Sequence, residues 1–373
     1  MHLAYQTTCI DCLPFCLWNI SSDAGRISSF ENANKIKIVN PDGSSRYFCL
    51  DRQQTLELTI EPGAKIYSKF CVSGSGEGDL NAASQFEFVP EYIADPEVGF
   101  NVSRSGSPNM RILSFDATSV DIYFNDVLQN TVTLTPGEVT IYVAPTGNGN
   151  YYLQANGNII VQKTSGTTND SGTVLKPSDD IIGWSSTAAY ISSRNGGNAF
   201  DAYHVNTTGA TSQNANNPNN ILNFNDFGNF ANTEDEFYEP TSALRIIGTN
   251  LYGQSRGDSD GGNETAFLPL DFARDTHLIP QHAEFVAMVS DQPAVILVTE
   301  ADGTTQTVTL TKSSTDPEAP YSARIGAANG ISNFDEGMLL ESDVPIHVVY
   351  QADDADAFSS SADETISFGY NKN

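Results

Sequence analysis

Residues 153–161 read LQANGNIIV and residues 340–348 read LESDVPIHV, and the two stretches align without a gap. Both place apolar side chains at the first, seventh and ninth positions. Upstream of each stretch lies the same pentapeptide, TVTLT, at 131–135 and at 307–311. The same segments in the same order predict two divergent copies of one β-rich unit.

Alternating runs around these repeats are typical of β-strands. Residues 120–124 and 56–60 alternate with a period of two, and clusters of Gly, Pro, Asn and Asp, as at 136–137 and 148–150, separate such runs. No amphipathic helix of ordinary length is expected. The pattern predicts an all-β protein of tandem antiparallel β-sandwich domains, jelly-roll-like, with a divergent internal repeat.

The repeats divide the chain into parts. Each copy is expected to close on an aromatic residue after glycine, Trp184 in the first and Tyr370 in the second, and the Asn/Gly-rich stretch between the copies is typical of a linker. The predicted parts are a Cys-containing β-rich assembly segment (1–100), a first β-sandwich repeat (101–194), an Asn/Gly-rich linker or long loop (195–240) and a second β-sandwich repeat (241–373).

The charge balance excludes some partners. The 373 residues include 18 basic and 46 acidic side chains, a formal charge of -28, so a phosphate backbone would be repelled and nucleic acid is not an expected partner. No run approaches the about 20 apolar residues that span a bilayer, so no membrane insertion is expected. The first residues lack the basic start and apolar core of a secretory signal.

All five cysteines lie in the first 71 residues, which leaves three interpretations open. Thiolates at this spacing can bind zinc, although paired CxxC knuckles are absent; the cysteines can form disulfides that pin the N-terminal segment; or they can be buried free thiols. The five are Cys9, Cys12, Cys16, Cys49 and Cys71.

An acidic turn is the candidate metal site. Hard oxygen ligands around paired glycines suit calcium, and the alternative is a solvated acidic turn. The loop is not an EF-hand, because position 12 counted from its first acid is Pro269. A second acidic turn, 353–356, lacks the glycines. The candidate calcium ligands are Asp258, Asp260, Asn263 and Glu264.

Patterns associated with catalysis are weak. Residues 253–257, GQSRG, match the GxSxG nucleophile elbow, but a turn sequence follows where the elbow requires a helix. Residues 256–258 form an Arg-Gly-Asp tripeptide, which arises readily by chance. His347 lies in an apolar strand and is expected to be structural. No catalytic residues are predicted.

Aromatic residues offer a further possibility, because rings on a β-sandwich can stack on sugars. The alternative is that they close the domain cores. The candidates are Tyr151, Tyr152, Trp184 and Tyr190.

The stretches 251–255 and 264–270, and the closing residues 366–370, resemble repetitive β-sandwich proteins on the particle surface of marine tailed phages. The resemblance covers residues 110–373 and lies in acidity and in Asn, Gly and Thr richness. It implies a non-enzymatic virion structural protein, a capsid decoration, fibre or tail component, that assembles with other virion proteins and as a homo-oligomer on the virion surface.

Two other classes of function stay open. A bacterial cell-surface adhesin or carbohydrate-binding protein, extracellular and stabilised by calcium, would bind a host-surface glycan. A polysaccharide-active enzyme would need a pair of acids that no local pattern identifies.

Overall fold

The computed structural model describes most of the chain as antiparallel β-structure. The described ranges are 13–78, 85–102, 109–144, 149–164, 171–185, 188–194, 196–215, 220–223, 242–255, 265–326, 334–352 and 364–371. The predicted all-β class with tandem β-sandwich domains is confirmed. None of the helical turns in these ranges has the length and apolar character to cross a bilayer.

The strands form four consecutive units. The first contains β1 (Phe15–Trp18), β2 (Ser22–Ser29), β3 (Asn34–Val39), β4 (Ser45–Leu50), β5 (Thr55–Thr59), β6 (Lys65–Ser68), β7 (Val72–Gly78), β8 (Gln85–Glu87) and β9 (Val89–Pro90). The second contains β10 (Asp95–Val102), β11 (Asn109–Ser114), β12 (Thr118–Phe124), β13 (Val127–Leu134), β14 (Thr140–Val143), β15 (Gly149–Thr164) and β16 (Ser171–Val174). The third contains β17 (Ser178–Ser185), β18 (Ala188–Ser193), β19 (Asn198–His204), β20 (Thr211–Ala215), β21 (Asn220–Asn223), β22 (Ser242–Ser255) and β23 (Leu268–Pro269). The fourth contains β24 (Arg274–Ile279), β25 (Ala283–Ser290), β26 (Val295–Thr299), β27 (Thr305–Thr309), β28 (Tyr321–Gly326), β29 (Met338–Ala352) and β30 (Glu364–Ser367). Single 3-10 turns, Glu91–Ile93 and Leu270–Phe272, follow β9 and β23.

One pairing scheme recurs in all four units. In the second unit the long β15 is central: its first half pairs with β10 and β12, and its second half with β11 and β16. The outer strands β13 and β14 pair with β12 and β11. The fourth unit repeats this order with β24–β30. The third repeats it with β17–β22 and a bridge from Gln254 to Ala266. In the first unit, β6 and β7 together replace the central strand.

Strand register supports the alignment made from sequence. Ile159 pairs with Asp95, the first residue of β10, and Ile346 pairs with Arg274, the first residue of β24. Ile159 and Ile346 are the seventh residues of the two aligned stretches. The register shifts directly after both pairs, so the irregularity in strand pairing falls at the same place in the second and fourth units.

The stretch predicted to be a linker, 195–240, differs from that expectation in its described residues. It contains β19, β20 and β21, which pair with β22 and β18. Phe200, Ala202 and His204 alternate as buried side chains along β19, which is the period of a half-buried strand. Two further units therefore accompany the two copies detected by identity.

The expected equivalence of Trp184 and Tyr370 is also not observed. Trp184 lies in β17, the first strand of the third unit, whereas Tyr370 follows β30, the last strand of the fourth. Tyr370 pairs with Thr276 of β24.

Polar contacts join the first unit to the second and the second to the third. Thr173 Oγ1 donates a hydrogen bond to the buried Glu87 Oε2 at 2.8 Å, across the first junction. Ser192 Oγ lies 2.8 Å from Asn101 Oδ1 across the second.

The remaining two junctions complete a closed series of units, because the fourth unit contacts both the third and the first. Arg245 Nη1 donates to Glu318 Oε2 at 3.0 Å between the third and fourth units. Gln53 Nε2 of the first unit lies 2.9 Å from Thr299 O and 3.1 Å from Gly337 O of the fourth. Each unit therefore contacts a neighbour on both sides.

Apolar side chains bury the same junctions. Strand β25 is buried at all eight positions, because one face packs in its own unit and the other meets Trp184 of the third. A shared core draws on all four units and consists mainly of Trp18, Ile20, Val89, Ile93, Leu113, Ile160, Leu175, Leu268, Phe272, Ile366 and Phe368.

Candidate functional site: a groove between the first and second units

Strand β1 supplies two of the aromatic residues that line a groove between the first and second units. Its register shifts between Phe15 and Leu17, so Leu17 enters the core of the first unit while Phe15 and Trp18 face the second. The rings of Phe15 and Trp18 lie 5.6 Å apart at 64°. Phe115 of the second unit completes the contact, 4.9 Å from Trp18 at 62°. Such edge-to-face packing is favourable beyond the area that it buries.

Lys65 lies where this aromatic cluster meets a polar surface. Its Nζ lies 4.9 Å from the centre of the Trp18 ring, a cation–π contact. Trp18 Nε1 donates a hydrogen bond to Gly63 O at 3.1 Å, which fixes the indole. Pro136 and Gly137, in the turn after β13, face the same lysine from the second unit.

Two adjoining cavities form what we call the Lys65 groove. The first has a volume of about 370 Å³ and the second about 640 Å³, both in the range of small-ligand sites. The first is lined by Phe15, Trp18, Lys65, Tyr67, Glu91, Phe115, Pro136 and Gly137. The second is lined by Val39, Asn40, Pro41, Gly43, Pro62, Gly63, Lys65, Pro136, Gly137, Glu138 and Val139.

The lining suits a neutral, polar ligand with an apolar face. Phe15, Tyr67 and Phe115 are half-buried and so present part of their rings to the groove. Lys65 can donate hydrogen bonds and the exposed Glu91 can accept them. Aromatic surface beside a few polar groups is the combination that binds sugars.

The candidate calcium ligands Asp258, Asp260, Asn263 and Glu264 lie outside the described residues, as do the Arg-Gly-Asp tripeptide and the second acidic turn. In the part of the chain that the structure describes, no group of three or more His, Cys, Asp or Glu side chains could hold a metal ion.

The serine of the GxSxG match is a buried strand residue. Ser255 is the last residue of β22 and is 1% exposed. Its Oγ accepts a hydrogen bond from Thr265 N at 2.9 Å. A nucleophile elbow instead presents its hydroxyl to substrate at the top of a sheet.

The aromatic residues proposed from sequence for sugar binding are core residues. Tyr151 stacks on Phe100 at 5.1 Å and 12°, and Tyr152 donates from its hydroxyl to Glu97 Oε2 at 2.6 Å. Trp184 and Tyr190 are also buried. The aromatic groups of the Lys65 groove were missed because residues 15, 67 and 115 are far apart in sequence.

Three of the five histidines are buried. Burial lowers the pKa of His204 and of His277 to about 4, and that of His347 to about 3. Ile346 O lies 3.1 Å from His277 Nε2, within hydrogen-bond distance, whereas Nε2 of His347 has no hydrogen-bond partner among the described residues. All three rings lie in the interior of the fold.

The described cysteines are free thiols. Cys16 is buried, Cys49 is exposed and Cys71 is half-buried. Cys9 and Cys12 lie outside the described residues.

Comparison with known proteins gives no family for this chain. No protein-family model matches it, and no curated protein matches it significantly.

Proposed function

We propose that this protein is a non-enzymatic structural component of a virion surface, a capsid decoration, fibre or tail component. The observation that carries the proposal is the recurrence of one β-sandwich scheme in four units that contact one another in a closed series. Repeated units that are joined by hydrogen bonds and apolar contacts support a structural role in assembly and display.

The outer strands support assembly with other chains. Among the described residues, the fourth strand of the second unit, β13, and that of the fourth unit, β27, each pair with the third strand and end the sheet order. Neither strand contains a charged residue. Unpaired strand edges without charges accept a further strand by backbone hydrogen bonding. Exposed apolar residues lie on the second unit, with Val127 61% and Val143 63% exposed.

The test is localisation on particles. Virus particles from the producing culture would be banded by density, labelled with a gold-conjugated antibody to the protein and imaged by electron microscopy. Gold on a vertex, face or tail of the particles is expected. Gold on cell envelopes beside unlabelled particles would contradict the proposal.

A second candidate function is glycan binding at a cell surface, which the Lys65 groove favours. Glycan-array binding by the purified protein is expected to fall at least tenfold in Lys65→Ala. Lys69→Ala is the matched control, because Lys69 Nζ also lies over an aromatic ring, that of Phe70 at 4.4 Å, but lies outside the groove. Equal binding by both variants, or no binding by the wild type, would reject this function.

A further inference from the structure

Two thiols of the first unit lie against each other. Cys16 is in β1, and Cys71 directly precedes β7. The Cys71 side chain packs against the apolar cluster that contains Cys16. Val72 N, from the residue next to Cys71, donates to Cys16 Sγ at 3.3 Å and holds the buried sulfur in place. The backbone at Val72 therefore keeps the two cysteines in the same part of the core.

The pair lies at a break that distinguishes the first unit. The central strand is continuous in the other three units, but here residues 69–71 separate β6 from β7. A bond from Cys16 to Cys71 would tie β1 to this break.

Tyr370 of the fourth unit covers the pair. Its hydroxyl lies 3.4 Å from Cys16 Sγ and donates to Val72 O at 3.4 Å. Its ring packs against Phe30 with 5.2 Å between ring centres, at 81°. The thiols therefore lie at the contact where the fourth unit meets the first.

We propose that Cys16 and Cys71 form an oxidation site, a dithiol that closes to an intramolecular disulfide when the protein meets a small disulfide such as oxidised glutathione. The Cys71 thiolate attacks one glutathione sulfur and releases one glutathione thiolate. The Cys16 thiol then loses its proton, attacks Cys71 Sγ and releases the second. Two protein thiols are oxidised, one glutathione disulfide is reduced to two thiols, and one S–S bond forms in the protein.

The order of attack follows from the environments. The hydrogen bond from Cys16 lowers the pKa of Cys71, whereas burial raises the pKa of Cys16. Cys71 is also the more exposed thiol. The reaction is independent of the proposed virion role, and it would strengthen a protein that is made in a reducing cell and then released.

The test is disulfide mapping of the full chain. The reduced protein would be treated with oxidised glutathione, alkylated and digested without reduction, and its peptides identified by mass spectrometry. A Cys16–Cys71 cross-linked peptide is expected as the main intramolecular product. Cys49→Ser is expected to keep it, and Cys16→Ser to leave Cys71 as a glutathione adduct.

A melting curve gives a second readout. The oxidised wild type is expected to melt several degrees higher than the reduced form, and dithiothreitol should reverse the shift. Three results would overturn the proposal. The first is cross-links from Cys16 or Cys71 mainly to Cys9 or Cys12, and the second is stoichiometric zinc released by thiol alkylation. The third is a Cys71 that stays reduced while Cys49 reacts.

Discussion

Replacing His347 with leucine should remove part of the acid sensitivity of this protein. His347 is 1% exposed, and Nε2 has no hydrogen-bond partner among the described residues. Burial lowers its pKa to about 3, and the positive charge of Arg274 contributes to the shift. Because the folded pKa is lowered, the neutral ring stabilises the fold above the unfolded pKa of about 6.5, and this stability is lost as the pH falls toward the folded pKa.

The magnitude follows from proton linkage. Between pH 8 and pH 5, an imidazole that titrates near 6.5 when unfolded and at 4 or below when folded loses about 2 kcal/mol of stabilisation. The result hardly depends on the folded pKa, because at pH 5 a ring with a folded pKa of 3 or of 4 is mainly neutral in the fold. His347→Leu should therefore reduce the loss of stability between these pH values by about 2 kcal/mol.

The assay is urea unfolding of both proteins at pH 8 and pH 5, followed by tyrosine and tryptophan fluorescence. His282→Gln is the control, because it also removes an imidazole, but from a partly exposed site. If His347→Leu loses as much stability as the wild type, the ring is not held neutral in the core and the reasoning fails.

Three further predictions concern backbone packing, the closure of the units and metal. Gly76→Ala should destabilise the protein by about 3 kcal/mol or more, because the added Cβ would clash with Ala24 O. Gly157→Ala is the control: its added Cβ has its nearest contact at 3.6 Å, so the same urea titration should show a loss of less than about 1 kcal/mol. Gln53→Ala should destabilise the protein by about 1–3 kcal/mol, because it leaves the partly buried carbonyls of Thr299 and Gly337 without their donor. Amide exchange at the junction of the first and fourth units should also become faster, and unchanged exchange would contradict this prediction. If the acidic loop 258–264 binds calcium, EDTA should lower the Tm and added calcium should restore it, whereas superimposable melting curves would remove the calcium hypothesis.

The fold class could be predicted from sequence, but only half of the repetition could. The second and fourth units share TVTLT and an ungapped central strand, so identity reveals them. The first and third units have the same strand-pairing order without detectable sequence identity, because a strand can pair wherever its side chains alternate between buried and exposed positions. In the first unit the interruption at 69–71 hides the central strand, and in the third the Asn/Gly-rich composition resembles that of a linker.

The candidate groove could not be predicted for a different reason. The pairing of β1 with β6 brings Phe15 to Tyr67, and the junction between the first and second units brings Phe115 to Phe15. The aromatic residues that sequence did bring forward, such as Tyr151, are adjacent to strong apolar runs and are therefore buried. Local patterns identify core residues more readily than they identify surfaces built at a junction.

The central strand of each unit has a consequence for synthesis. In the second unit, β10, β11 and β12 all pair with β15, which leaves the ribosome after five other strands. Until β15 emerges, only the local pairs β12–β13 and β11–β14 can form, and the apolar strands that pair with β15 stay without that partner. We expect each unit to fold in a single late step during translation, four such steps in succession, with a period of exposure to chaperones before each.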